Sequence, residues 1–514
     1  MKQLLILMLG FVTVCCKAQL SPQTNKMTEK FFPEPAIEIN TPPFLKKKGF
    51  TTYDEMIAYI SALQSKHSSS LSLSYIGESQ NGKQIPLIQL EKKNGVEHKV
   101  KVWLQGCLHG DEPASTEGLL FLLDKILNEA EYSYLLDKLV IFIVPMANID
   151  GNAKLERVAD NGLDLNRDQT KLMAPESRYL KKAFSDFKPE IALDFHEYHA
   201  FRKDYLQMST YGITPQFDVM LMYSGNLNIP LNLREYTKSR FVANAVKLLD
   251  ENKLSHHDYF TSDKILGEIQ LSQGSISARS SATSYGLSNA VSSLIEIRGA
   301  GLGRTSLKRR VYSTFLVAYS YLKTAYDHVD EVKAQIKTAV ENPNTDLVVK
   351  SKTPVTKQKL NVIDLETNDL IDIDVNLADA WQTKPSLTRT RPTAYILMPT
   401  QENLVEKLKI LGLQVQQLKN ALEVEVENYM VTDYRKDAEK TEGVFRQNVS
   451  TNIKVVKRNF PQGSYVVYMN QPNSNLAVEV LEPEAPNSFV SFSVLETELN
   501  QELPIYRYLA KNNL

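Results

Sequence analysis

In the stretch WLQGCLHGDEPASTEGLLFLL, Trp103 to Leu123, His109 and Glu112 stand three residues apart between one apolar run with strand character and another with helical character. An imidazole and a carboxylate at that spacing suit a divalent metal ion. The spacing alone is weak evidence, because eight histidines in 514 residues supply roughly half a chance match per chain. His328 and Glu331 repeat it inside a helical pattern, where it reads as a solvated i, i+3 pair. Context separates the two cases. His109 and Glu112 follow a strand and precede Pro113, a favoured first-turn residue. They therefore stand at a strand's carboxyl end, where open α/β sheets bind ligands.

A second apolar run, PEIALDFHEYH, places His196 at its carboxyl end in the same way. Two imidazoles and one carboxylate, with a fourth position open for water, have the composition of a catalytic zinc site. HEYH is one residue short of H-E-x-x-H, so His199 reads as pocket wall or outer support and not as a ligand. In SSLIEIRG, alternation sends Ile295 and Ile297 to one side and Glu296 and Arg298 to the other. A carboxylate in a covered strand is either an ion-pair partner, with Arg298 at hand, or a general base whose pKa burial has raised. The loop NIDGNAKLERVADNGLDLNRDQT, after the strand-like LVIFIVP, gathers Arg157, Asp164, Asn166 and Arg167. Asn166 and Arg167 make a fork able to hold a carboxylate.

Elements to position these groups are legible around them. The chain has 43% hydrophobic residues, 59 basic against 60 acidic side chains and a net charge of -1. That balance provides cores for two or three domains and no bulk field for nucleic acid. The N-terminus, MKQLLILMLGFVTVCCKAQL, has a signal-peptide pattern ending near Ala18, with a lipid anchor on Cys15 or Cys16 as the alternative; its apolar run is short for a permanent membrane span. Cys107 is then the lone mature cysteine, so no disulfide framework is expected. Residues 19–48 read as an extended lead-in. Thr52 and Glu55 form a capping-box pattern before a helix carrying Met56, Ile60 and Leu63. Three strand-like runs follow, with Asn81-Gly82 and Asn94-Gly95 between them as hairpin signals. Gly77 to Lys83 mimics a phosphate-binding loop, but Gln84 replaces the Ser or Thr such a loop needs and a strand follows it.

From Val100 to about Ala339, strand candidates at 100–105, 139–145, 190–195 and 292–298 alternate with amphipathic helices. This predicts an α/β fold, with helices on both faces of a sheet of mixed strand direction. One long helix is expected to close that part before Pro343. Beyond it, short runs such as GSYVVYM, LAVEVLEP and SFVSFSVL predict a mostly β accessory domain over 343–514, interrupted by a helix in QENLVEKLKILGL that stops at Gly412.

Taken in order, HGDE, NIDG through GLDLNRD, DFHEYH and SLIEIRG resemble the zinc metallocarboxypeptidase family, carboxypeptidase A-like in the broad sense, over roughly residues 50–335. The resemblance implies a mixed, mostly parallel eight-stranded sheet between helices, with a catalytic domain over 49–342. It implies zinc held by His109, Glu112 and His196, and Glu296 as general base and acid. By the same resemblance Arg157 polarises the scissile carbonyl, while Asn166 and Arg167 hold the terminal carboxylate of a peptide or protein substrate. The family's mobile tyrosine has two candidates, Tyr259 and Tyr285. The C-terminal texture is similar to the β-rich extension of some large bacterial members.

Three other readings share parts of this site. A zinc amidohydrolase of the aspartoacylase type has the same metal set and an Asn-Arg pair, but EIRGAG around Glu296 is closer to the peptidases. Peptidoglycan stem peptides are an alternative substrate for the same chemistry. A catalytically inactive surface-binding protein would be expected to lack ligands, and here all are present. The N-terminal pattern favours an exported peptidase.

Overall fold

The computed structural model describes residues 23–265, 267–512 and 514. The signal-peptide pattern with Cys15 and Cys16 lies outside the described residues. Its central feature is an eight-stranded sheet built from β1 (Leu71–Glu78), β2 (Gln84–Leu90), β3 (Val100–Gly106), β4 (Leu139–Val144), β5 (Ile191–His199) and the strands Val219–Met222, His256–Asp258 and Val291–Ala300. Across the sheet the order is β1, β2, β4, β3, β5, Val291–Ala300, Val219–Met222, His256–Asp258. Four neighbouring pairs are parallel and three antiparallel, which is the mixed, mostly parallel arrangement expected.

The Asn81-Gly82 signal joins β1 to β2 as an antiparallel pair, with Gly82 at φ 75°. Asn94-Gly95 does not make a hairpin. β4 lies between β2 and β3, pairing antiparallel with the first and parallel with the second. Turn residues act locally, whereas β3 is buried along almost its whole length and takes its place inside the parallel part of the sheet.

Of the lead-in, α1 (Asn25–Phe31) is helical, not extended, and Met27 and Phe32 are buried against the body of the protein. α2 (Tyr53–Lys66) has the capping box complete, Thr52 and Glu55 each accepting the other's backbone N–H, which is worth about 1 kcal/mol. α3 (Ala114–Asn128) is buried on nearly every side and crosses the closing helix so tightly that a Cβ on Gly118 would lie 2.3 Å from Thr314. The closing segment is two helices, Leu307–Asp327 and Val329–Glu341, and not one. His328 leaves helical dihedrals at φ -128°, and Asp330 and Glu331 in the next turn favour a fresh N-terminus there. His328 and Glu331 form the expected half-exposed pair at 3.3 Å.

The C-terminal region is β-rich as expected, with a six-stranded sheet and a helix at Glu402–Ile410 ended by Gly412 at φ 84°. Two short runs differ from expectation. LAVEVLEP lies in the helix Ser474–Leu481, whose eight residues are all buried; a short run covered on every side has no period to read. SFVSFSVL forms turns, because Ser488 and Ser491 spend their hydroxyls on nearby backbone groups in place of a ladder. A further five-stranded sheet interleaves Ile213–Pro215, Phe260–Ile265 and Glu268–Gln273 with Val355–Asp364 and Leu370–Asp379, so strands from both sides of residue 343 share it. Among the described residues no helix is long and apolar enough to cross a membrane.

Glu117 of α3 is buried and accepts the Thr51 N–H at 2.8 Å and the Thr51 hydroxyl at 2.7 Å. Burial, only partly offset by these bonds, pushes its pKa up to about 7. A raised carboxyl pKa favours the fold below the unfolded value and withdraws that contribution as pH rises through about 7. Urea unfolding at pH 5 and pH 8 should therefore show Glu117→Gln losing less stability than wild type over that interval, by on the order of 3 kcal/mol. Identical losses would assign the pH dependence elsewhere.

Candidate active site

The turn from β3 to α3 is shaped by close packing. Cys107 takes φ 54°, its N–H bonds the Ser115 hydroxyl at 2.8 Å, and that hydroxyl donates to the Glu112 carbonyl at 2.7 Å. Gly110 is required there, since a Cβ would lie 2.1 Å from the backbone of Gly151. The turn delivers His109 and Glu112 beside His196 from the end of β5. Glu112 Oε1 lies 2.8 Å from His109 Nδ1, Glu112 Oε2 lies 2.8 Å from His196 Nδ1, and the two Nδ1 atoms are 3.0 Å apart. All three side chains are buried.

The outward nitrogens decide what this cluster suits. His109 Nε2 faces Asp164 Oδ1 at 3.1 Å and His196 Nε2 faces Asp194 Oδ2 at 2.8 Å. A carboxylate there holds the proton on Nε2 and leaves Nδ1 as a lone-pair donor, so two imidazoles and a carboxylate turn donor atoms to one point. Those atoms lie within 4.8 Å of one another, and the set fits a divalent metal such as zinc. Burial disfavours the Glu112 anion, yet the two imidazoles outweigh it and hold its pKa well below the usual carboxylate range. Burial likewise opposes charge on His196, and Asp194 and Glu112 reverse that, raising its pKa.

Parallel pairing of Val291–Ala300 with β5 sets Glu296 directly opposite His196. Its Oε2 is buried and has no hydrogen-bond partner. Burial, reinforced by the Glu112 charge, pushes the Glu296 pKa up to about 7; a cation among the neighbouring side chains would pull it back down. Arg298 is not its partner, donating instead to Gln23, the Pro215 carbonyl and Thr214. Arg157 binds Asp164 Oδ2 through Nε at 3.1 Å and Nη2 at 3.0 Å, while its Nη1 lies 3.5 Å from Glu112 Oε1. Asn166 Oδ1 accepts the Ser281 N–H at 2.8 Å, which leaves the amino end of that amide for a ligand, and Arg167 bonds the Asn166 carbonyl.

Six of the seven expected site residues line one cavity of about 570 Å³: His109, Glu112, Arg157, Asn166, Arg167 and Glu296. His196 lies fully buried beneath them. Tyr259 and His199 also line it, the latter half-exposed with Nε2 3.9 Å from Asp111. Tyr285 does not; it is stacked on Phe184 in the core and donates to Gln105. A larger hollow of about 790 Å³, walled by Lys46, Lys83 and Arg304 among others, contains none of the seven.

The zinc carboxypeptidase family model matches residues 56–209. Carboxypeptidase 2 of Trichophyton rubrum is 31% identical over 445 residues, covering 84% of this chain and 81% of that protein. Carboxypeptidase 2 of Trichophyton equinum is 32% identical over 447 residues, with the same coverage. The chain belongs to the zinc carboxypeptidase family. It is a peptide hydrolase of the metallocarboxypeptidase type. Among solved structures, a metallo-carboxypeptidase from Burkholderia cenocepacia aligns with a TM-score of 0.43 at 16% identity, over 55% of this chain and 70% of that one.

Two supports of this zinc carboxypeptidase's site were not foreseen. Asp194 stands two residues before His196 on the same face of β5, a spacing the sequence displays, and is itself held by Gln105 at 3.2 Å. Glu197 accepts the Ala114 N–H at 2.9 Å and the Arg310 Nε–H at 2.8 Å, tying β5 to the start of α3; Arg310 is 113 residues away and no local pattern announces it. Asp194→Asn should weaken zinc retention roughly 10- to 100-fold, measured by competition with a chelator. Unchanged retention would mean that Asp194 does not set the His196 tautomer.

Proposed function

We propose that this metallocarboxypeptidase holds zinc through His109, Glu112 and His196 and removes C-terminal residues from peptides with Glu296 as general base. The observation that carries the reading is the buried, unpartnered Glu296 Oε2 in one cavity with the metal-type cluster and the Asn166–Arg167 fork. Zinc bound there would supply Lewis acidity toward the scissile carbonyl and the attacking water. Glu296 Oε2 takes the proton of that water and passes it to the departing amine. Arg157, anchored by Asp164, faces the cavity and donates to the carbonyl oxygen as negative charge gathers on it, a contribution of about 3 kcal/mol in comparable sites.

The substrate's terminal carboxylate is received by the Asn166 amino group and the Arg167 guanidinium, confining cleavage to chain ends. Leu294, two residues before Glu296 on the same strand face, packs with Met222 and Tyr259 in an apolar part of the cavity wall. That surface suits an uncharged terminal side chain. Tyr259 is the remaining candidate for the mobile tyrosine. The apolar N-terminal run supports export of the enzyme.

The test is zinc content together with release of free amino acids from a mixed peptide pool, for wild type and Glu296→Gln. Wild type should carry one zinc per chain and release C-terminal residues, apolar ones first, while leaving C-terminally amidated peptides intact. Glu296→Gln should keep its zinc and lose activity by roughly 10²- to 10⁴-fold. An active Glu296→Gln enzyme would remove Glu296 as the base, and cleavage of amidated peptides would remove the fork.

A further inference from the structure

The strands Leu422–Thr441 and Val444–Phe460 of the C-terminal region form a long hairpin, with Thr441 opposite Val444 and only Glu442 and Gly443 in the turn. Glu442 takes φ 51° and Gly443 φ 85°. A two-residue turn with both residues at positive φ favours Asn-Gly or Asp-Gly. Glutamate pays for the left-handed conformation there without the local hydrogen bonding that reconciles Asn or Asp to it.

The Glu442 side chain explains the exception. One carboxylate oxygen takes Lys171 Nζ at 2.6 Å and the other takes Arg279 Nη1. Lys171 is nearly fully buried, and Arg279 lines the same cavity as Glu296. Lys171, Arg279 and Arg446 all lie over the ring of Phe492, at 4.7, 4.8 and 4.8 Å. Glu442 is thus the anion that lets Lys171 and Arg279 share one ring at close quarters.

Both cations belong to segments that shape the fork. The Gln169 N–H donates to the Arg279 carbonyl at 3.3 Å, and the Ser281 N–H donates to Asn166 Oδ1 at 2.8 Å. From the same C-terminal region Lys407 Nζ bonds the Lys171 carbonyl at 2.6 Å and the Leu172 carbonyl at 3.1 Å. The loop carrying Asn166 and Arg167 is stitched to residues 279–281, and both ends of the stitch are gripped from the C-terminal region. We propose that Glu442 is a positioning residue for recognition of the substrate's terminal carboxylate, acting through Lys171 and Arg279 on the loop that carries Asn166 and Arg167. The proposal rests on the reading of that pair as the carboxylate fork.

The test uses the full chain loaded with zinc. Glu442→Asn introduces the residue that the turn geometry favours, which offsets part of the cost of leaving buried Lys171 and Arg279 without their shared anion. If Glu442 positions the fork, KM for a peptide with a free C-terminus rises roughly tenfold with kcat within about twofold. Glu442→Gln, which keeps size and removes charge, should do the same. Unchanged KM in both variants, or a fall in kcat as large as the rise in KM, would overturn the proposal. Arg167→Gln separates the two levels. If it leaves KM unchanged, the fork reading fails; if it raises KM while the Glu442 variants do not, the fork stands and the role of Glu442 falls.

Discussion

Parallel pairing between β5 and Val291–Ala300 places His196 and Glu296 side by side, and nearly everything else in the site is arranged around that register. A slip of one residue in either strand would turn its side chain to the opposite face of the sheet, away from the other. The register is protected because each strand is buried along almost its entire length. The remaining cluster members arrive from turns, whose positions are secured by close contacts such as Gly110 against Gly151 and Ser115 against Cys107. Rigid strands fix one imidazole and the carboxyl; packed turns bring the other imidazole and its neighbouring carboxylate to meet them.

Burying so many ionisable groups in one place demands compensation. Each imidazole has a carboxylate on both of its nitrogens, Arg157 is shared between Asp164 and Glu112, and Glu197 is neutralised by Arg310. Glu296 on its strand, like Asp111 Oδ1 in the turn, is left out of this matching. Its Oε2 lacks a protein partner, and the chain tolerates the desolvation that follows. A buried, unsatisfied carboxyl beside a metal-type cluster is the kind of perturbed group that gathers at functional sites.

The parts legible in the sequence were those where chemistry and periodicity coincide. His109, Glu112, His196 and Glu296 stand on or just beyond apolar runs, so strand geometry alone puts them near one end of the sheet, and the structure brings all four together. The Thr52–Glu55 cap was legible for the same reason, being complete within four residues. What stayed hidden depends on distant partners. Nothing near Asn94-Gly95 reveals that β4, about 45 residues later, will separate β2 from β3. Nothing in LAVEVLEP tells that every side of that segment is covered. The Glu442 contacts join residues 163 and 271 positions apart and had no local signature beyond an unusual turn residue.

The five-stranded sheet has a bearing on how the molecule is assembled during synthesis. Val355–Asp364 lies between Ile213–Pro215 and Leu370–Asp379, which in turn pairs with Glu268–Gln273. When the ribosome has released His109, Glu112, His196 and Glu296, two of those edges still lack neighbours, and the sheet closes only after residue 379 has emerged. Through that interval the nascent chain carries unpaired strand edges of the kind that invite wrong partners. The order of synthesis thus ties the peptidase core to its C-terminal region, since the later-made strands shield edges that the earlier ones leave open.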